Sequence, residues 1–300
     1  MPFLNEVVNL IYHVENCKLT RYVGDYDEFL RIYEQNKRLL ESAYDRQQSE
    51  IAKLEDFVAR NKARVATTGM ARSRQKKLDK MERIELVGEK PQPVFNFKMS
   101  RTSGRVVIEA EDLVIGYDSP LSKPLKFTIE RGQKIALTGA NGLGKSTLLK
   151  SLLGMIEPLE GKVHTGEFLS IGYFEQEAKR ENTNTCIDEV WQVFPSMSQL
   201  EIRNALAKVG LTRQQLESKV SVLSGGEQAK VRLCKILHTP TNVLVLDEPT
   251  NHLDVDAKEE LKRALQEYKG SILLVCHEPE FYQDVVSDVW NCESWTTKIL

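Results

Sequence analysis

The stretch Gly139-Ala140-Asn141-Gly142-Leu143-Gly144-Lys145-Ser146 lies between two segments of different character. Residues 134–138 form a short apolar run, which is typical of a buried strand. The apolar residues after Thr147 continue to a break at Gly154, which predicts a helix. A strand, a glycine-rich loop and a helix in this order fit the pattern G-x-x-x-x-G-K-[ST] of phosphate-binding loops, or P-loops. This stretch therefore predicts an α/β fold.

The residue types of the loop explain how it would hold a nucleotide such as ATP. Glycines let the backbone wrap closely around a phosphate with its N–H groups pointing inward, and the helix start adds a positive dipole end. Lys145 would place its charge on the β- and γ-phosphates, and the Ser146 hydroxyl can bind Mg²⁺. The alternative is a glycine turn that binds nothing. The predicted nucleotide-binding residues are Gly139, Ala140, Asn141, Gly142, Leu143, Gly144, Lys145, Ser146 and Thr147.

Two carboxylates follow another apolar run. Residues 243–246 are all apolar and predict a buried strand, and Asp247 and Glu248 come directly after it. In P-loop enzymes such an aspartate holds Mg²⁺. Glu248 is then placed to polarise an attacking water molecule. The alternative is that this pair only ends a strand.

The bulk composition limits the possible classes of protein. The chain has 300 residues, which is enough for roughly two domains, and a net charge of −2. Its five cysteines show no C-x-x-C pair and no metal-binding spacing, which suits a reduced, cytoplasmic protein. The chain start has no basic region typical of a signal peptide, and no apolar run reaches about 18 residues. We therefore expect a cytoplasmic protein without membrane insertion.

The opening segment, residues 1–22, is similar to the end of the chain. Residues 3–8 align without a gap with residues 281–286, and residues 10–12 then fall opposite 288–290. This match predicts that residues 1–22 are the tail of an earlier copy of the same domain, with strand-like pieces. Chance similarity between two amphipathic segments is the alternative, because one short match is weak support for a repeat.

Residues 23–87 predict an antiparallel helical hairpin. Apolar residues recur at intervals of three and four over 25–58 and again over 71–87, with a short loop at 63–70. Residues 60–83 contain nine basic and two acidic residues, a net charge of +7. Such a basic tip favours a polyanionic partner, most plausibly RNA, although a solvated helix face is the ordinary alternative. The candidate RNA-binding residues are Arg60, Lys62, Arg64, Arg72, Arg74, Lys76 and Lys77.

Glycine, proline and serine interrupt both periodicities over residues 88–105, which predicts a flexible linker. The α/β domain then covers 106–300. We expect paired strands at 106–110 and 113–117, further strands at 126–129 and 272–275, and mostly helix over 185–235.

A second possible phosphate cradle is the string Leu223-Ser224-Gly225-Gly226-Glu227-Gln228. A hydroxyl, glycine N–H groups and a helix start would surround the phosphate, whereas a bare turn would provide only an N-cap. The string resembles the signature of the ATP-binding cassette (ABC) ATPases, which acts on the site of a partner cassette. The resemblance implies this role for Ser224, Gly225, Gly226, Glu227 and Gln228.

Other motifs follow in the order of that family. Gln176 looks like its Q-loop glutamine, Asp254 belongs to a D-loop, and His277 looks like its switch histidine at the γ-phosphate. Tyr117 is the candidate for stacking on adenine, although an aromatic residue at a strand end is often core. The resemblance thus implies Glu248, His277 and Gln176 as catalytic residues, and Ser146, Gln176 and Asp247 as Mg²⁺ ligands. The implied fold is an α/β P-loop ABC-type nucleotide-binding domain with a helical subdomain, preceded by an antiparallel α-helical hairpin.

Within the family the sequence is most similar to the ABC-F class, which is soluble and joins two cassettes by a long helical hairpin. The opening segment, the basic hairpin and residues 248–254 carry this resemblance. Residues 276–279, Cys-His-Glu-Pro, depart from the Ser-His-Asp-Arg usual in the family, so the interactions of a neighbouring arginine are missing. The resemblance implies a second ABC domain as partner, on the same chain or in a self-dimer, and the ribosome with its tRNA as target.

Three functions compete at this stage. The first is an ABC-F-type ATPase that acts in translation, either as a general factor or in ribosome protection against an antibiotic. The second is the ATP-binding subunit of an ABC membrane transporter, which would leave the basic hairpin unexplained. The third is a nucleotide-gated scaffold without useful turnover. Fold alone does not separate them.

Overall fold

The computed structural model describes residues 2–15, 18–61, 68–81, 92–175 and 182–297, with only the backbone described at 2–4, 15 and 68. Gln176, Lys62 and Arg64 lie outside these ranges. Residues 63–67 of the predicted hairpin loop and residues 82–87 of the predicted second helix also lie outside them, whereas residues 68–70 of that loop are helical. The chain divides into two compact units, residues 1–89 and 90–300.

The first unit begins with a helix and two strands. Helix α1 (Pro2–Val7) precedes the antiparallel strands β1 (Leu10–Glu15) and β2 (Lys18–Val23). The expected strand pieces are present, but residues 2–7 are helical. The similar segment near the chain end also forms a short helix, α10 (Pro279–Tyr282), and then a strand, β10 (Asp288–Asn291). Strands β1 and β10 begin at the aligned positions 10 and 288, so the likeness extends from sequence to secondary structure.

The rest of the first unit is the helical hairpin. Helices α2 (Tyr26–Asn61) and α3 (Thr68–Lys80) run antiparallel, because Arg74 lies over the Phe57 ring at 3.4 Å while Lys77 lies 2.6 Å from Glu50. The predicted hairpin is therefore confirmed. Near the start of α2, the buried ring of Phe29 packs against aromatic residues of both β strands and of its own helix.

The second unit is built on a parallel sheet. Its strands are β5 (Lys134–Thr138), β7 (Ile171–Phe174), β8 (Val243–Asp247), β9 (Ser271–Val275) and β10, in the spatial order β10-β5-β9-β8-β7. Both faces of this sheet are covered, which explains why β8 and β9 are almost wholly apolar. A three-stranded antiparallel sheet has the order β4-β3-β6, with β3 (Val106–Val114), β4 (Leu125–Glu130) and β6 (Glu160–Thr165).

Strand β3 corrects one prediction. The segments 106–110 and 113–117 were expected to pair with each other, but residues 106–114 form one strand that pairs with β4 and β6. The polar residues between the two apolar runs form an irregularity instead of a turn, and Asp112 has a φ of 48°. A bulge of this kind interrupts the alternation of side chains without reversing the chain.

Helices cover the two faces of the parallel sheet. Helix α4 (Lys145–Leu152) packs on the face that carries Val243 and Val245. The opposite face carries Leu244 and Leu246 and packs with the helices that include the predicted helical region. These helices are α5 (Cys186–Trp191), α6 (Gln199–Lys208), α7 (Arg213–Leu216), α8 (Gly225–His238) and α9 (Val255–Glu267).

The segment expected to be a flexible linker is fixed in its described part. Residues 92–105 contain no helix or strand of their own, yet Phe95 is 0% exposed and lies in the core with Leu261 of α9. The Phe95 N–H donates to the Glu260 carboxylate at 2.7 Å, and Arg263 donates to the Phe95 carbonyl at 2.9 Å. Burial of an aromatic side chain, which composition alone does not reveal, holds this segment on the second unit.

Candidate nucleotide-binding site

The candidate phosphate site is formed where β5 ends and α4 begins. The predicted residues 139–147 form this loop and the first turn of α4. Gly144, the residue before the helix, has a φ of 92°, a conformation that a side chain would disfavour. Lys145 is only 5% exposed, and its Nζ donates to the carbonyl oxygens of Gly139 at 2.9 Å and Ala140 at 2.8 Å. The loop thus holds the ammonium group against its own backbone.

The electrostatics of Lys145 suit a phosphate ligand. Burial lowers the pKa of Lys145, and the carboxylates of Glu248 and Asp247 oppose this shift. A buried cation is stabilised when an anion is brought next to it. A phosphate placed in the loop would supply such an anion, together with the N–H groups at the start of α4.

Asp247 lies at the end of β8 and is 1% exposed. The Ser146 side chain lies beside the Asp247 carboxylate. Burial raises the pKa of Asp247, and the nearby Ser146 hydroxyl opposes this shift. Within the described residues, Asp247 Oδ1 has no hydrogen-bond partner. A buried carboxylate oxygen beside a hydroxyl is the donor set that Mg²⁺ prefers, so Ser146 and Asp247 fit this ion.

Glu248 and His277 come from two neighbouring strand ends and lie together. The Nε2 atom of His277 is 3.3 Å from Oε1 of Glu248, and the Asn251 side chain donates to Glu248 Oε2 at 2.5 Å. Glu248 has a φ of 50°, which is uncommon for a residue other than glycine. Its N–H donates to the Val275 carbonyl at 3.0 Å, which holds the turn. The Glu248 carboxylate is therefore fixed at both oxygens.

Residues 276–279, which differ from the usual family sequence, make contacts of their own. The Glu278 carboxylate pairs with Lys258 of α9 at 2.8 Å, and Pro279 occupies the start of α10. Burial raises the pKa of the Cys276 thiol. The segment around His277 is thus attached to α9 by Glu278.

The signature residues lie at the start of α8. Ser224 caps the helix, and Glu227 completes a reciprocal capping box with the Ser224 N–H at 2.8 Å. A Cβ on Gly226 would lie 2.3 Å from the carbonyl oxygen of His252, so only glycine fits there. Lys230, one turn further along α8, lies 2.7 Å from Asp254, the predicted D-loop residue. The signature is therefore packed against the D-loop of the same cassette.

Sequence reasoning did not identify the contact of His252 with Gly226 or the ion pair of Lys230 with Asp254. The glycines of the signature carried a signal, but it was interpreted only as space for a phosphate. The contact with His252 depends on a segment 26 positions later than Gly226. No local pattern reveals such a contact.

Gln176 lies outside the described residues, but the two residues before it are described. Lys150 of α4 lies 3.0 Å from the Glu175 carboxylate. Arg232 of α8 donates to the Glu175 carbonyl at 2.5 Å and lies 4.7 Å from the Phe174 ring centroid. Glu175 thus contacts both the phosphate-binding helix and the helix that begins at the signature.

Tyr117 follows β3 and is 61% exposed, so its ring is accessible. Its stacking on adenine remains a prediction. Within the described residues, no group of three or more His, Cys, Asp and Glu side chains could hold a metal ion. In nucleotide sites, Mg²⁺ is usually held by one or two carboxylates together with substrate phosphates.

The candidate RNA-binding residues in the described part of the hairpin are exposed, and three of them contact other side chains. Arg60 pairs with Asp56 at 2.9 Å, Lys77 pairs with Glu50, and Arg74 lies over Phe57. Arg72 and Lys76 are also exposed. Binding of RNA by this surface stays a prediction.

Among the described segments, none of the helices combines the length and the apolar character needed to cross a bilayer.

Comparison with known proteins gives two family matches. One model, described as ABC transporter, matches residues 12–97. A second model with the same description matches residues 122–251. The hairpin and the P-loop domain are thus matched by separate models.

Individual relatives agree with these models. The chain is 69% identical over its full 300 residues to the ABC transporter ATP-binding protein YfmM of Bacillus subtilis, of which it covers 58%. It is 36% identical over 97% of its length to ABC transporter F family member 5 of Arabidopsis thaliana, of which it covers 43%. The chain thus spans about half the length of the curated relatives it matches.

A solved ABC transporter ATP-binding protein from Pyrococcus furiosus is 26% identical, with a TM-score of 0.52. The match covers 63% of this chain and 99% of that chain. The P-loop geometry, the carboxylates at the end of β8 and these matches agree. The chain belongs to the ABC ATPase family, and its relatives include members of the ABC-F group.

Proposed function

We propose that this chain provides one ATP-binding and ATP-hydrolysing cassette of an ABC-F-type ATPase that acts on the ribosome. The observation that carries the proposal is the presence, in one chain, of a P-loop cassette and a helical hairpin with exposed cations. The F-family relatives match both parts, because the match with the Arabidopsis protein covers 97% of this chain. Either general translation or protection of the ribosome from an antibiotic fits this proposal.

The residues of the cassette divide the work of nucleotide binding. The loop amides and Lys145 bind the phosphates, and Tyr117 offers its exposed ring to the adenine. Ser146 and Asp247 would hold Mg²⁺, with Gln176 as a further ligand implied by the family resemblance. When bound, the ion would neutralise charge on the phosphates.

Glu248 is the proposed group that polarises the attacking water. Its carboxylate is held by Asn251 and lies beside His277, so its orientation is set before substrate arrives. Catalysis in this class of reaction depends mainly on positioning and electrostatic stabilisation. His277, beside this carboxylate, would contact the γ-phosphate.

A second cassette is part of the proposal. The signature at Ser224–Gln228 would act on the ATP held by a partner P-loop, and its helix start offers N–H groups for that role. Residues 1–22 would be the end of such a cassette, since α1 and β1 repeat the order of α10 and β10. The partner is then a domain of the same protein, and a self-dimer is the alternative arrangement.

The hairpin would direct this machinery to RNA. Its exposed basic residues would bind phosphate groups, since the sequence of residues 60–83 contains no aromatic side chain for base stacking. A membrane transporter subunit is the competing function, and the names of several relatives favour it. Cytoplasmic localisation follows from the proposed ribosomal role.

Two measurements test the proposal. The protein is sedimented with purified ribosomes in the presence of ATP, using Glu248→Gln to slow hydrolysis. Nucleotide-dependent co-sedimentation supports the ribosomal role. The transporter role is supported if the protein does not bind ribosomes but associates stably with a membrane protein extracted in detergent. Phosphate release that depends on Glu248 excludes a scaffold that only binds ATP.

A further inference from the structure

Tyr173 lies on the sheet face that leads to the candidate metal site. In the pairing of β7 with β8, Tyr173 is opposite Val245, two residues before Asp247. Because side chains alternate along a strand, Val245 and Asp247 project from the same face. Tyr173 packs with the cluster that contains Val245, whereas Phe174 and Leu246 belong to the cluster on the other face. Tyr173 and Asp247 are thus diagonal neighbours, within the reach of an aromatic side chain.

The hydroxyl of Tyr173 is buried without a hydrogen-bond partner among the described residues. Asp247 Oδ1 is in the same condition. A buried polar atom without a partner lowers stability, so phenylalanine would be the more stable choice at this position. These two atoms lie on one face of the sheet, near the Ser146 hydroxyl of α4. They indicate a polar network that a bound ligand would complete.

The electrostatic setting agrees with a donor role for the hydroxyl. Burial raises the pKa of Tyr173, and the carboxylates of Asp247 and Glu175 raise it further. A phenolic hydroxyl is able to donate a hydrogen bond. The nearby carboxylate accepts hydrogen bonds but donates none when ionised.

We propose that Tyr173 is a positioning residue for the Mg²⁺ that Ser146 and Asp247 would hold. With the ion bound, its hydroxyl would donate a hydrogen bond in the outer coordination shell and so orient the Asp247 carboxylate. Outer-shell hydrogen bonds fix the direction of a metal ligand, and their loss weakens metal binding. This inference rests on the proposed nucleotide function and adds to it a residue that the motifs do not include.

The test is Tyr173→Phe, which removes one oxygen atom and keeps the ring. A non-hydrolysable ATP analogue is titrated calorimetrically in EDTA, and the Mg²⁺ requirement is then measured at a fixed concentration of the analogue. We expect unchanged affinity in EDTA and a Mg²⁺ midpoint that rises by about 10-fold. The Tm of the nucleotide-free protein should stay the same or rise, because an unpartnered hydroxyl is removed.

Tyr268→Phe is the matched control. The Tyr268 hydroxyl is 3.1 Å from the Thr241 hydroxyl, so its loss should lower the Tm and leave the Mg²⁺ midpoint unchanged. An unchanged Mg²⁺ midpoint in Tyr173→Phe overturns the inference, as does an equal loss of affinity with and without Mg²⁺. If the unaltered protein binds no analogue at all, the proposed function itself is wrong, and this result is distinct from the other two.

Discussion

The Lys230 ammonium lies 2.7 Å from the Asp254 carboxylate and so joins the signature helix to the segment that follows Glu248. Asp254 also accepts a hydrogen bond from the Ala257 N–H at 2.9 Å and caps α9. Between Glu248 and Asp254, the His252 carbonyl packs on Gly226 of the signature. These contacts connect the signature, which would act on the ATP of a partner cassette, with Glu248, which would act on the ATP bound to this cassette.

The ion pair between Lys230 and Asp254 should contribute to stability. In a double-mutant cycle with Lys230→Met and Asp254→Asn, we expect a coupling of about 1 kcal/mol. Asparagine is a good N-cap, so Asp254→Asn removes the charge and keeps the cap of α9. Urea denaturation measures the four free energies of unfolding. Strict additivity of the two single changes would show that the pair contributes nothing to stability.

Lys145→Ala should remove most of the ATP affinity. Hydrogen bonds to a charged group contribute about 1.5–3 kcal/mol each, which corresponds to a loss of about 10-fold to more than 100-fold. Calorimetry with ATP measures the change. Lys134→Met is the control, because Lys134 bonds to the Leu265 carbonyl at 2.7 Å and lies at the opposite end of β5. Equal affinities for Lys145→Ala and the unaltered protein would contradict the site.

Glu248→Gln should separate binding from hydrolysis. Glutamine keeps the shape of the side chain but cannot take a proton from water, so we expect turnover to fall by about 100-fold or more. ATP binding should stay within a few-fold of the unaltered protein, since Glu248 faces His277 and Asn251. Phosphate release and filter binding measure the two quantities. Turnover that survives this change would assign the base role elsewhere.

The basic hairpin residues should fall into two groups. Replacing Arg72, Arg74, Lys76 and Lys77 by Ala should weaken RNA or ribosome binding and flatten its salt dependence. On single strands, the slope should fall by about 0.7 for each phosphate group that the variant no longer neutralises.

The pair Arg72→Ala/Lys76→Ala should flatten the slope without lowering the Tm. The pair Arg74→Ala/Lys77→Ala should also lower the Tm, because these side chains contact Phe57 and Glu50 of α2. Binding measured at several salt concentrations gives the slopes. An unaltered slope in the fourfold variant would make the hairpin an ordinary solvated surface.

Phe95→Ala should destabilise the second unit by about 3–5 kcal/mol, as expected when a fully buried aromatic side chain is truncated. The neighbouring Val94 is 49% exposed, so Val94→Ala is a control that should change stability little. Thermal or chemical denaturation of both variants measures the difference. Equal stabilities would mean that residues 92–105 are a loose linker after all.

The sequence by itself determined the features that local spacing encodes. A strand, a glycine-rich loop and a helix around Lys145, and two carboxylates after residues 243–246, were all readable, because each depends on neighbours a few positions away. The helical hairpin was readable for the same reason, since its periodicity runs through two long segments. The polar interruption within β3 was interpreted as a break between two paired strands, because a bulge and a strand break both interrupt the apolar pattern.

Only the tertiary structure decided which distant groups meet. The 3.3 Å approach of His277 to Glu248, the contact of His252 with Gly226 and the burial of Phe95 against α9 all depend on how strand ends and helices are arranged in space. Parallel strands bring their carboxyl ends to one edge of a sheet, whatever the number of residues between them. Local sequence patterns therefore identify the candidate site residues of this cassette, and the strand order determines which of them are in contact.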